Sequence, residues 1–62
     1  MRWEDAVAGE WIIMYGERFK IRAIGASFML LLHPKSKTLP EYQATVSRQL
    51  FESSTEVSKE GS

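Results

Sequence analysis

The sequence predicts a mainly β fold: a small antiparallel sheet of three to five strands, with a candidate C-terminal helix, assembled as a dimer. Three observations carry this. Residues 18–24 alternate basic with apolar side chains at period two, the pattern of a half-buried strand. Gly9, Gly16 and Gly25 bound apolar runs, where they punctuate strands rather than cradle a phosphate. The run 26–32, Ala-Ser-Phe-Met-Leu-Leu-Leu, is apolar at both parities, and a strand with two apolar faces needs cover on both.

Along the chain, residues 2–8 suit either one helical turn or a short edge strand. Residues 10–15, Glu-Trp-Ile-Ile-Met-Tyr, are rich in β-formers. Gly16-Glu17 fits a two-residue hairpin loop of type II′, which wants glycine first. The strand over 18–24 then points Phe19, Ile21 and Ala23 inward and Arg18, Lys20 and Arg22 to solvent. In the third run Phe28, Leu30 and Leu32 share one face and Met29 and Leu31 the other; a buried helical segment would show the same composition. Residues 33–40 hold Pro34 and Pro40 among polar residues and read as a loop.

Residues 40–52 admit two structures. Thr38 and Glu41 have capping-box spacing, and Leu39, Tyr42, Val46 and Leu50 recur at helical intervals. Against this, Tyr42, Ala44 and Val46 alternate with Gln43, Thr45 and Ser47, and the β-branched residues favour a strand. Residues 53–62 are polar and charged and are expected to be a disordered tail behind a single β-rich domain over 1–52.

A chain of 62 residues with no cysteine and one histidine buries a modest core that no disulfide or structural zinc site reinforces. Oligomerisation is the remaining common solution, and a second copy covering the third strand would supply it. The longest apolar run, 28–32, is far short of a membrane span. Glu4 and Asp5 at the N-terminus do not suit a signal peptide. The expectation is a cytoplasmic protein without a membrane partner.

The net charge is zero, but the charges are sorted by position. Residues 1–17 carry one base against four acids, residues 18–48 six bases against one acid, and residues 49–62 one base against three acids. A basic middle invites an anionic partner, although small domains also acquire such segments by chance. Catalytic machinery is not evident. His33 stands beside proline without a framing nucleophile motif, and a lone histidine there is first a loop residue. No enzyme activity, cofactor or metal is expected.

Arg18, Lys20 and Arg22 are the best candidates for function. On a strand they lie about 6–7 Å apart on one face, comparable within a factor of about two to the phosphate spacing of a nucleic-acid strand. The competing explanation is an edge strand protected by charge. Lys35 and Lys37 in the following loop are secondary candidates. Trp3, Trp11 and Tyr15 would stack on bases if exposed, while the parity that Trp11 and Tyr15 share with Ile13 suggests core.

Residues 9–25, Gly-Glu-Trp-Ile-Ile-Met-Tyr-Gly-Glu-Arg-Phe-Lys-Ile-Arg-Ala-Ile-Gly, resemble the early part of the carbon storage regulator family (CsrA/RsmA), with its Gly-Glu, apolar run, glycine turn, alternating strand and closing glycine. Val46-Ser47-Arg48-Gln49-Leu50-Phe51 is similar to the family segment in which a strand passes into the C-terminal helix. The resemblance implies a homodimer of interleaved sheets that binds GGA-containing messenger-RNA loops and regulates translation, with Arg48 as the one matching RNA-binding residue.

Two functions follow. The first is a small RNA-binding regulator, with DNA as the other nucleic-acid option, contacting phosphate through Arg18, Lys20, Arg22 and Arg48. The second is a protein-interaction module docking on a larger partner through Met29, Leu31, Trp3 and Trp11.

Overall fold

The computed structural model describes residues 1–60. Five strands, β1 (Trp11–Met14), β2 (Glu17–Ile24), β3 (Phe28–His33), β4 (Tyr42–Ser47) and β5 (Val57–Lys59), form one antiparallel open sheet. Their order is β4-β3-β2-β1-β5. A 3₁₀ turn (Trp3–Asp5) precedes β1, and a short helix α1 (Arg48–Ser53) joins β4 to β5. The mainly β fold and the helix near the C-terminus are as the sequence predicts.

Two tight turns set the frame of β1 and β2. Glu10 N–H donates to the Val7 carbonyl at 3.1 Å, and Gly9 between them sits at φ +95°, the left-handed value a type II turn demands at that place. The β1–β2 loop is Tyr15-Gly16, because Met14 pairs with Glu17. Both loop residues have positive φ, 53° and 79°, which makes it a type I′ turn. The expected Gly16-Glu17 loop is therefore displaced by one residue, since Glu17 is recruited to the ladder.

That frame decides which residues meet. Ile12 pairs with Phe19, whereas Trp11 and Ile13 pair with Lys20 and Arg18. Strand neighbours share a face, so Ile12 enters the core and Trp11 and Ile13 lie on the opposite side. Trp11 is half-buried there and Tyr15 is exposed, correcting their placement in the core.

A second shift lies in β2. Its register against β3 steps from Ile21↔Leu31 to Ala23↔Leu30, so Arg22 is an extra residue in a β-bulge. The bulge turns Ala23 out to solvent and half-buries Ile24. Period-two extrapolation fails for Ala23 for that reason alone.

The core lies on one face. Ile12, Phe19, Ile21, Met29, Leu31, Val46 and Val57 come from the strands, and Trp3 and Phe51 close over them. The two rings meet edge to face, 5.4 Å apart at 89°. Phe51 is fully buried, worth roughly 1.5–3 kcal/mol of apolar transfer. Cover for Met29 and Leu31 thus comes from the chain itself.

The 40–52 ambiguity resolves into both elements in succession. Tyr42–Ser47 is the strand, and helix starts only at Arg48. Ser47 is the cap: its hydroxyl accepts from Leu50 N–H at 3.2 Å, as N-cap serines do. Thr38 caps nothing, its backbone N–H bonding Ser36 Oγ within the loop at 3.4 Å.

The expected disordered tail is also corrected. Val57–Lys59 pairs antiparallel with β1, Val57 is buried, and the Met1 ammonium donates to the Val57 carbonyl at 3.1 Å. One buried valine inside a polar stretch docks it, a signal that composition averages away. Residues 61–62 of that expected tail lie outside the described residues. His33, expected in a loop, ends β3 and is buried.

Candidate nucleic-acid interface

The sheet has one face without cover. Register places Trp11 and Ile13 of β1, Arg18, Lys20 and Ala23 of β2, Phe28, Leu30 and Leu32 of β3, and Gln43 and Thr45 of β4 on it. Arg22, the extra residue of the bulge, has no register partner but lines the same recess as Lys20 and Leu32. Phe28 is 61% exposed and Ile13 36%, while Leu30 and Leu32 are half-buried. The face is a mixed apolar and cationic surface.

The three cations of β2 are not equivalent. Arg18 Nε donates to Glu60 Oε2 at 2.7 Å, and its guanidinium lies 4.0 Å above the centre of the Trp11 ring. It bridges β2 to the end of β5 across β1 and covers Trp11. Lys20 and Arg22 are exposed and have no ion pair or side-chain hydrogen bond among the described residues. A shallow recess of about 320 Å³ lies between them, bounded also by Gly9, Ile21 and Leu32. A Cβ on Gly9 would meet open space, so the glycine is there for its φ and also leaves the recess unobstructed.

The remaining sequence candidates separate. Arg48 is held by Glu4 at 3.1 Å and by Glu52 one helical turn on. Its guanidinium pKa lies above the ordinary arginine value, through the hydrogen bond to Glu52 first and the charges of Glu52 and Glu4 after it, against desolvation. It also stands 5.8 Å from the Trp3 ring centre. With two carboxylates on it, Arg48 ties the 3₁₀ turn to α1. Lys35 and Lys37 are exposed in the loop joining β3 to β4, outside the recess.

The proposed partner interface of Met29, Leu31, Trp3 and Trp11 does not survive as a docking surface. Met29, Leu31 and Trp3 are core residues, and the Arg18 guanidinium occupies one side of Trp11. The exposed apolar parity of β3 is Phe28, Leu30 and Leu32.

His33 is packed between rings, 5.1 Å from Phe19 edge-on and 4.7 Å from Tyr42 in a stack. Its Nδ1 lies 3.0 Å from the Pro34 carbonyl oxygen and its Nε2 3.5 Å from a Glu17 carboxylate oxygen. These contacts anchor the end of β3. Among the described residues no three His, Cys, Asp or Glu side chains gather as a metal site, and no helix is long and apolar enough to cross a membrane.

Comparison with protein-family models, curated proteins and solved structures returned no match.

The signal that separates Arg18 from Lys20 and Arg22 was not local in sequence. Glu60 is 42 residues from Arg18, and only the docking of β5 brings it there. Phe28 was visible in the sequence as part of the apolar run; its exposure follows from Met29 taking the core position.

Proposed function

We propose that this protein is a small non-enzymatic regulator that binds single-stranded nucleic acid on its uncovered sheet face. The observation that carries the proposal is the convergence of two cations without a partner among the described residues, Lys20 and Arg22, on one recess of a face that also exposes Phe28 and Ile13. Phosphate neutralised by the cations and bases laid on apolar and aromatic groups are the two ingredients of single-strand recognition. A duplex would present its bases edge-on and gain nothing from Phe28. RNA is favoured over DNA through the likeness of residues 9–25 to the carbon storage regulator family. A cysteine-free chain is in keeping with the cytoplasm, where messenger RNA is read.

The test is amide chemical-shift mapping with a single-stranded oligouridylate of about 12 nucleotides, long enough to cross one such face. The proposal expects shifts concentrated at Gly9, Lys20, Arg22, Phe28 and Leu32. Shifts confined to the 34–41 loop, or none at all, would reject it.

A second reading has its own observation. Phe28, Leu30, Leu32 and Ile13 make the face apolar enough to dock a protein partner. Salt decides between them: nucleic-acid binding weakens steeply as salt rises, whereas apolar docking does not.

A further inference from the structure

The two edges of the sheet are managed differently. At one end β5 is three residues long, and the Met1 ammonium already occupies the outward carbonyl of Val57. At the other end β4 runs six residues, Tyr-Gln-Ala-Thr-Val-Ser, with no strand beyond it. It carries no charge, no proline and no break in its register with β3. These are the devices by which edge strands avoid pairing, and β4 has none of them.

The ladder shows which backbone groups are free. Arg48 N–H donates to the Ser27 carbonyl at 2.8 Å. Antiparallel bonding alternates, so within β4 it is Val46, Ala44 and Tyr42 that bond β3. The N–H and C=O groups of Gln43 and Thr45 and the N–H of Ser47 point away from the sheet, and no hydrogen bond to them from another described segment is present. The Ser47 carbonyl, at the N-cap, serves the first turn of α1.

We infer that β4 pairs antiparallel with β4 of a second copy, forming a two-fold dimer with one continuous ten-stranded sheet. The occupant is argued from the strand itself. Side chains directly opposite share a face, so the dyad must pass through a residue rather than between two. Ser47 ends the strand because α1 begins at Arg48, whereas Glu41 can still extend it. The longest overlap therefore centres on Ala44. There the smallest side chain of the strand sits at the closest approach, a non-hydrogen-bonded pair with Cα atoms about 4.5 Å apart. Tyr42 then faces the second copy's Val46, an aromatic–β-branched pair, and Gln43 faces its Thr45. No two like charges oppose one another. Because β5 is blocked, a head-to-tail chain of copies is disfavoured and the assembly closes at two. This inference is independent of the nucleic-acid proposal.

Two variants test it on the full chain. The contact is one strand wide, smaller than the roughly 800 Å² per partner of a standard interface, so the dimer should be concentration-dependent over about 1 µM to 1 mM in sedimentation velocity. Thr45→Pro removes an outward N–H without touching the β3 ladder and should weaken dimerisation at least tenfold; Thr45→Lys, which puts charge at the same edge, should do likewise if the proline variant fails to fold. Because the chain has no cysteine of its own, Ala44→Cys can form only an intermolecular disulfide. It should oxidise to a covalent dimer at least tenfold faster than Ser36→Cys in the exposed loop. A wild-type monomer throughout the concentration range, a dimer untouched by both Thr45 variants, or equal oxidation of the two cysteine variants would overturn the inference.

Discussion

Arg18 reaches over the Trp11 ring to place its Nε 2.7 Å from Glu60, so one of the three cations on β2 is spent holding β5 to the sheet. Both partners of this pair are partly exposed, with side-chain exposures of 53% and 37%, and a surface ion pair contributes about 0–1 kcal/mol. The contact with Trp11 adds roughly 0.5–1 kcal/mol. Arg18→Ala should therefore lower stability by about 1 kcal/mol in urea unfolding, and weaken RNA binding less than Lys20→Ala does. Equal losses of binding would mean that Arg18 is free to meet phosphate.

Tyr15 offers a gain in stability. It is exposed and held at φ 53°, a left-handed conformation that costs an ordinary L-residue about 1–2 kcal/mol. Asn-Gly is the preferred type I′ pair. Tyr15→Asn should raise stability by about 0.5–1 kcal/mol, read as a higher urea midpoint at unchanged slope. A lower midpoint would show that the Tyr15 ring makes contacts that outweigh its backbone strain.

Ser47→Ala removes the hydroxyl that accepts from Leu50 N–H. The expected loss is about 1 kcal/mol, seen as a lower thermal midpoint. Ser47→Asp should restore most of it, because aspartate also caps. If alanine and aspartate behave alike, the cap is not what sets the start of α1.

Val57 tests whether the C-terminal strand belongs to the fold. It is 3% exposed and pairs with Met14. Val57→Asp would bury an unpaired carboxylate, at a cost of several kcal/mol. A chain of this length holds about 3–9 kcal/mol in all, so the variant should be largely unfolded by circular dichroism at 25 °C. A folded variant would show that residues 53–62 behave as the tail that composition suggests.

What was legible in the sequence was what short-range pattern carries. The alternation over 18–22 marked β2, Gly9 and Gly16 marked the turns on either side of β1, and the run 28–32 marked β3. What was not legible came from single residues overriding a pattern. One extra residue at Arg22 reversed the parity of Ala23 and Ile24. Recruitment of Glu17 moved the hairpin loop by one. Val57 docked an otherwise polar segment, and that docking carried Glu60 to Arg18. For the candidate site, Lys20 and Arg22 could be named from period two alone, but only long-range pairing could show that Arg18 is engaged by Glu60 and Arg48 by Glu4. The Arg48–Glu52 pair is local and follows once α1 is known to start at Arg48.

The most direct test of the central claim is fluorescence anisotropy of a labelled single-stranded RNA against the wild-type chain and the Lys20→Glu/Arg22→Glu variant across a salt series. Two phosphate contacts predict a slope of about −1.4 in log K against log salt for the wild type, with binding lost in a double variant that keeps its circular dichroism spectrum. Binding that survives the double reversal, or affinity indifferent to salt, would contradict the account.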